Sequence, residues 1–381
     1  MMKTLAAFWA KLIDPRLPGT PDVVAVRHLP SLDGLRGFSI LIVIFGHLIS
    51  GTHYFGYING LVGVDIFFVI SGFLITTLLL KEKSKTGTIS LKGFYTRRVL
   101  RIFPVAYLYL LVLVFLNAVF LLHITPESFF TALLYIKNFA GPNASDWQTG
   151  HFWTLGLEEQ FYLLFPVILV FNFRLFVRIV VFLILAVPLA SAICFHWVDR
   201  GGQLFSILHL LVDCWGQGTA SILWGSLTAI LLFKGLIPLE RIKKFQGWAL
   251  FLLVALVLLR TDPVPTVPGI QILALCLFSP GVCLVIVLSL RPGASLSFAF
   301  FNNRILSKIG VLSYSLYVWQ EPFTQHQPWA KTFVYGSAAW FNLPALGVVA
   351  CLSYYCFERP IIKLKDRITA RPDTPGALLP T

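Results

Sequence analysis

Residues 105–122 read VAYLYLLVLVFLNAVFLL, an apolar run without one charged side chain. At about 1.5 Å rise per residue a helix of this length covers most of the roughly 30 Å of bilayer hydrocarbon. A helix apolar on every side has no polar face to turn toward water, so it belongs inside a membrane or a very large core. ALFLLVALVLL at 249–259 is of the same kind. The whole chain agrees: its 381 residues are 57% hydrophobic and only 12% charged, with a mean hydropathy of +0.80. Soluble domains carry about 25% charged residues, so a single water-soluble core is excluded.

Working outward between basic and Gly/Pro punctuation, further apolar stretches divide the chain into about ten helical spans. They fall near 32–52, 61–80, 99–122, 152–171 and 175–195, then near 205–233, 247–259, 270–290, 309–324 and 340–357. The expected fold is therefore all-α, a polytopic transmembrane helix bundle in a lipid bilayer. Lys and Arg number 26 in one set of alternate loops and 4 in the other (Lys137, Arg200, Arg260, Lys331). Cytoplasmic loops carry the excess, which puts both termini in the cytoplasm and makes the number of spans even. The organisation that follows is a cytoplasmic segment at 1–30, a transmembrane domain at 31–359 and a cytoplasmic tail at 360–381. Thr125-Pro126-Glu127 opens either a short interfacial helix on the outer face or a simple loop.

The net charge of +13 has the same origin. Its basic residues sit in short loops between spans, so no nucleic-acid partner is expected. Six cysteines lie in or beside apolar stretches without metal-ligand spacing, and neither a disulfide framework nor a metal site is expected. The amino terminus has too short an apolar core for a signal peptide and no small-residue cleavage site, so the first span is expected to stay in the mature protein.

Charged and polar residues inside spans are the chemical signal, because each costs about 2.5–3.5 kcal/mol at mid-bilayer even on insertion scales. SLDGLRGFSILIVIFGH at 31–47 holds three. Arg36 and His47 lie within about 20° of one helix face and about 17 Å apart along it, and Asp33 falls within about 40° of that face. His47 has the unperturbed pKa of a general base for an alcohol, or it is a histidine hydrogen-bonded within the bundle. Asp65, in GVDIFFVISGFLIT, enters the next span at similar depth. It either orients the His47 imidazole or serves as a helix-start acid. WTLGLEEQFYLLFP at 153–166 buries Glu158 and Glu159, with Trp153 beside them, as candidate acceptor contacts. Adjacent positions point about 100° apart, so at most one of the two acids is expected to share a cavity with His47. In FYTRRVLRIFPVAY, Arg98 and Arg101 share a face, and with Arg36 they suit a phosphate-rich ligand. The positive-inside rule alone also accounts for arginines there. His209 and Asp213, four apart on one span, form a rival dyad, and His151 lies close enough to the fourth-span motif to touch an acceptor.

These stretches, together with GVLSYSLYVWQEP and FERP, resemble acyltransferase family 3 over almost the whole chain. Members are ten-span membrane enzymes that O-acylate bacterial surface and exported carbohydrates. The resemblance implies His47 as the catalytic residue and Arg36, Arg98 and Arg101 as acyl-CoA contacts. It also implies a bacterial inner (cytoplasmic) membrane location and no permanently bound cofactor. Acyl-CoA, acetyl-CoA by the family's commonest use, is the expected co-substrate, and a carbohydrate is the expected acceptor. Gln320 stands where members often carry histidine. The chain is expected to be the membrane domain alone, so further acyl handling would need a partner protein. The reading from another class is a transporter or flippase using Arg36, His47, Asp65 and Glu159 as a pathway.

Overall fold

A computed structural model describes residues 2–26, 28–49, 60–197, 203–260 and 268–363. Among these there are helices and connections and no strand. In chain order the principal helices are α1 (Met2–Ile13), α2 (Pro30–Ile49), α3 (Leu61–Thr86), α4 (Leu91–Phe120), α5 (Pro126–Leu133), α6 (Phe152–Phe171) and α7 (Phe173–Trp197). They continue as α8 (Gln203–Phe233), α9 (Ala249–Leu259), α10 (Pro268–Ser289), α11 (Arg304–Val311), α12 (Ser313–Trp319) and α13 (Ala339–Leu352). Among the described residues, seven helical stretches are long and apolar enough to cross a membrane. All-helical spans are the expected solution in lipid, where a backbone amide without a partner is costly.

Local chemistry explains the boundaries. Ser90 starts α4 by accepting the Gly93 amide, and Thr125 starts α5 by accepting the Ser128 amide at 3.2 Å. The stretch after residue 125 is thus a capped helix rather than a simple loop. Gly87 closes α3 with a φ of +75°, a conformation open to glycine without strain.

The expected span at 309–324 is not one helix. It is divided into α11, α12 and a single turn, Glu321–Thr324. Pro322 has no amide to donate, and its ring crowds the carbonyl four residues back, so the helix breaks before it. This break exposes the polar end of the segment, Gln320 and Glu321, to the bundle interior.

Glycines let the central helices touch backbone to backbone. A Cβ on Gly310 of α11 would lie 1.8 Å from the Asp33 carbonyl oxygen of α2. One on Gly72 of α3 would lie 1.8 Å from the Ile222 carbonyl oxygen of α8. Small residues at membrane helix crossings allow this approach. Through these crossings α2 lies between α3 and α11, and its polar stripe faces the middle of the bundle.

Candidate active site

The basic end of the bundle opens into a cavity of about 550 Å³. Asp33 and Arg36 from α2, Arg98 and Arg101 from α4, and Glu158, Glu159 and Tyr162 from α6 all line it. The three guanidiniums gather as their spacing suggested. Arg98 stacks over Tyr162 at 4.3 Å from the ring centre, which fixes the plane of its fork. Among the described residues no carboxylate lies within ion-pair distance of Arg36, Arg98 or Arg101, whereas Arg97 pairs with Glu82 at 3.4 Å. All three cavity arginines thus differ from Arg97, the neighbour of Arg98, in having no carboxylate within 4 Å. Glu358 reaches the cavity from the π-helical turn that continues α13 and accepts hydrogen bonds from Ser315 and Ser353.

Both glutamates of the α6 motif line this arginine cavity, which His47 does not share. Side chains about 100° apart on α6 thus reach the same space. Trp153 does not line it and packs edge-on against Phe68, with ring centres 6.1 Å apart. At its inner end the cavity meets Thr154 and Tyr317, whose hydroxyls are hydrogen-bonded at 2.6 Å.

His47 lies beyond that pair and is not a lining residue. Its ring sits edge-on to Trp147 with centroids 5.2 Å apart, and its carbonyl accepts from the Gln325 amide at 2.6 Å. The carboxylate beside it is Glu321, with Oε1 at 3.8 Å from His47 Nδ1. The same oxygen lies 3.6 Å from Nδ1 of His151. Glu321 is 3% exposed and His151 4%, while the His47 side chain keeps 26% of its surface. His151 is enclosed by Tyr109, Phe152 and Tyr317.

Asp65 is elsewhere. Its carboxylate takes Arg260 at 3.1 Å and the Ser221 hydroxyl at 3.3 Å, which ties α3 to α8 and to the end of α9. The expected orienting acid for His47 is therefore replaced by one from a helix far along the chain, because Asp65 turns toward α8 instead of α2. Glu321 and His151 were not singled out as partners of His47. An acid at the end of an apolar span was a signal for the first. The side chains of His209 and Asp213 lie outside the described residues. Among the described residues no three His, Cys, Asp or Glu are arranged to hold a metal ion.

Comparison with known proteins gives this arrangement its context. The family model described as "Acyltransferase domain" matches residues 29–358, which takes in every cavity and histidine-cluster residue named above. The chain is 28% identical to O-acetyltransferase OatA of Staphylococcus aureus (strain NCTC 8325 / PS 47) over 368 residues, covering 88% of this chain and 58% of that protein. A putative O-acetyltransferase of S. aureus (strain COL) is 38% identical over 157 residues, 38% of this chain and 25% of its own. The chain thus spans little more than half the length of OatA. No solved structure matches it. With a family match across most of its length, the protein belongs to the acyltransferase 3 family.

Proposed function

We propose that the protein is a membrane O-acyltransferase that moves an acyl group, most simply acetyl, from a cytoplasmic acyl-CoA to a carbohydrate hydroxyl. The observation that carries this reading is the triple-arginine cavity at the basic end, with His47 farther along the same face of α2. The positive-inside rule makes the basic end cytoplasmic, the side on which acyl-CoA is available. Guanidinium forks match a diphosphate in geometry and charge, and none of Arg36, Arg98 and Arg101 has a carboxylate within 4 Å. The printed names of the relatives, both O-acetyltransferases, favour acetyl as the group and oxygen as its destination.

In this reading the CoA diphosphate binds the arginines and the thioester extends past Tyr317 toward His47. His47 Nε2 takes the proton of an acceptor hydroxyl arriving from the opposite side. The alkoxide oxygen bonds to the acyl carbon, the carbon–sulfur bond breaks, and the proton passes from imidazolium to the departing thiolate. The products are an ester and free CoA. General-base assistance of this kind contributes about 10²–10⁴-fold. The location follows as the inner membrane of a bacterium, with both termini cytoplasmic. Family membership favours acyl transfer over the transporter reading.

Purified protein incubated with radiolabelled acetyl-CoA and a panel of mono- and oligosaccharides should pass label to sugar and release free thiol. His47→Ala should lower transfer by at least about 10²-fold with expression unchanged. Full activity in that variant, or proton-dependent sugar uptake without thiol release, overturns the reading. Mass spectrometry of surface glycans from a deletion strain would then identify the acceptor by its lost acyl mass.

A further inference from the structure

From the cluster beyond Tyr317 we infer that Glu321 is the positioning residue for His47, holding the proton on Nδ1 so that Nε2 faces the acceptor, with His151 as the second support of that carboxylate. The inference rests on His47 being the base proposed above.

The geometry supplies the direction. The Glu321 oxygen faces Nδ1 of His47, the nitrogen turned away from a reacting group when an acid orients a catalytic imidazole. Nε2 points the other way, toward the start of α3, where a Cβ on Gly60 would lie 3.7 Å from it. At 3.8 Å the Nδ1–carboxylate separation is about 0.8 Å beyond a hydrogen bond, and contacts of this kind tighten when substrates bind.

Burial makes the pairing compulsory. Neither His47 Nδ1 nor Glu321 Oε2 has a hydrogen-bond partner. A carboxyl group 3% exposed has no water to turn to, and the two imidazoles are the polar groups it faces through Oε1. One carboxylate oxygen has lone pairs for both Nδ1 protons. The backbone around it is pinned as well: Trp147 Nε1 donates to the Glu321 carbonyl at 3.2 Å, and Gln325 ties the following residues to His47 itself. Accessibility assigns the roles within the cluster. His47, with 26% of its side chain open, can meet an alcohol, and the enclosed His151 cannot. Asp65 cannot substitute for Glu321, since Arg260 and Ser221 already engage it.

The test reads the tautomer directly. Protein labelled with ¹⁵N-histidine and reconstituted in bilayers would be examined by solid-state NMR, with the His47 signals assigned by their loss in His47→Gln. Wild type should hold His47 as the Nδ1–H form. Glu321→Met should lose that preference and lower kcat for acetyl transfer about 100-fold with little change in KM for acetyl-CoA. Glu321→Gln, which keeps an acceptor oxygen, should retain the tautomer, and Asp65→Asn should leave it untouched. An Nε2–H tautomer in wild type overturns the inference without any variant, as does a Glu321→Met protein with unchanged tautomer or unchanged kcat. If wild type transfers no acyl group yet its His47 tautomer depends on Glu321, the pairing stands and the proposed reaction falls.

Discussion

Lys137 carries its ammonium into a buried polar pocket outside the spans, donating to Ser128 Oγ at 2.9 Å and Thr149 Oγ1 at 2.6 Å. Loss of hydration pulls its pKa down to about 8, against the attraction of Asp146 and Glu127. Between about pH 8 and the ordinary lysine value the unfolded chain binds the extra proton, so stability rises with pH through that window. Lys137→Met should remove this slope, as measured by thermal melting in detergent from pH 7.5 to 10. At the cavity, Arg98 combines a fork with a stack on Tyr162, and lysine reproduces neither. Arg98→Lys should raise KM for acetyl-CoA about 10-fold with kcat nearly unchanged, since charge-assisted contacts contribute about 1.5–3 kcal/mol. Steady-state kinetics at varied donor concentration checks it.

At the scale of helices, the polar stripe of α2 is useful only because α11 and α3 approach it closely. Gly310→Ala would push a methyl into the Asp33 carbonyl, and the crossing has to open. Overpacking of this kind costs about 1–3 kcal/mol. A lower melting midpoint in detergent is expected, together with weaker acetyl-CoA binding, because Asp33 and Arg36 ride on the displaced helix. Gly347→Ala in α13 is the matched control: nothing lies within 4 Å of its added methyl, so its melting should be unchanged. The helix break before Pro322 does comparable work. Pro322 removes an amide from the helical ladder while Gln320 keeps helical dihedral angles, and Glu321 between them faces two histidines.

For the molecule as a whole, the division of 26 basic residues against 4 predicts one orientation. A fluorescent protein fused to the carboxyl terminus should fold and fluoresce in the cytoplasm, and a cysteine introduced beside Lys331 should react with an impermeant reagent added to intact spheroplasts. The same asymmetry sets the direction of the proposed reaction. Donor charge is gathered at the basic end by three arginines, and the histidine cluster lies on the other side of the Thr154–Tyr317 pair.

Composition and local pattern were enough to give an all-helical membrane protein and the gathering of Arg36, Arg98 and Arg101 around one cavity. Those properties depend on hydropathy, charge bias and angular spacing within single helices, all of which are local. The face of α2 that carries His47 was legible for the same reason. Only the tertiary structure decided which acid meets that imidazole. Helix-face arithmetic says where a side chain points on its own helix and nothing about which helix lies opposite, so Asp65, near in sequence, was the natural candidate. Asp65 lies against Ser221 and Arg260, beside the glycine-mediated crossing of α3 with α8, and helix packing brings Glu321 from near the other end of the chain. Contacts made across such sequence distances are products of packing, and packing is where sequence periodicity stops being informative.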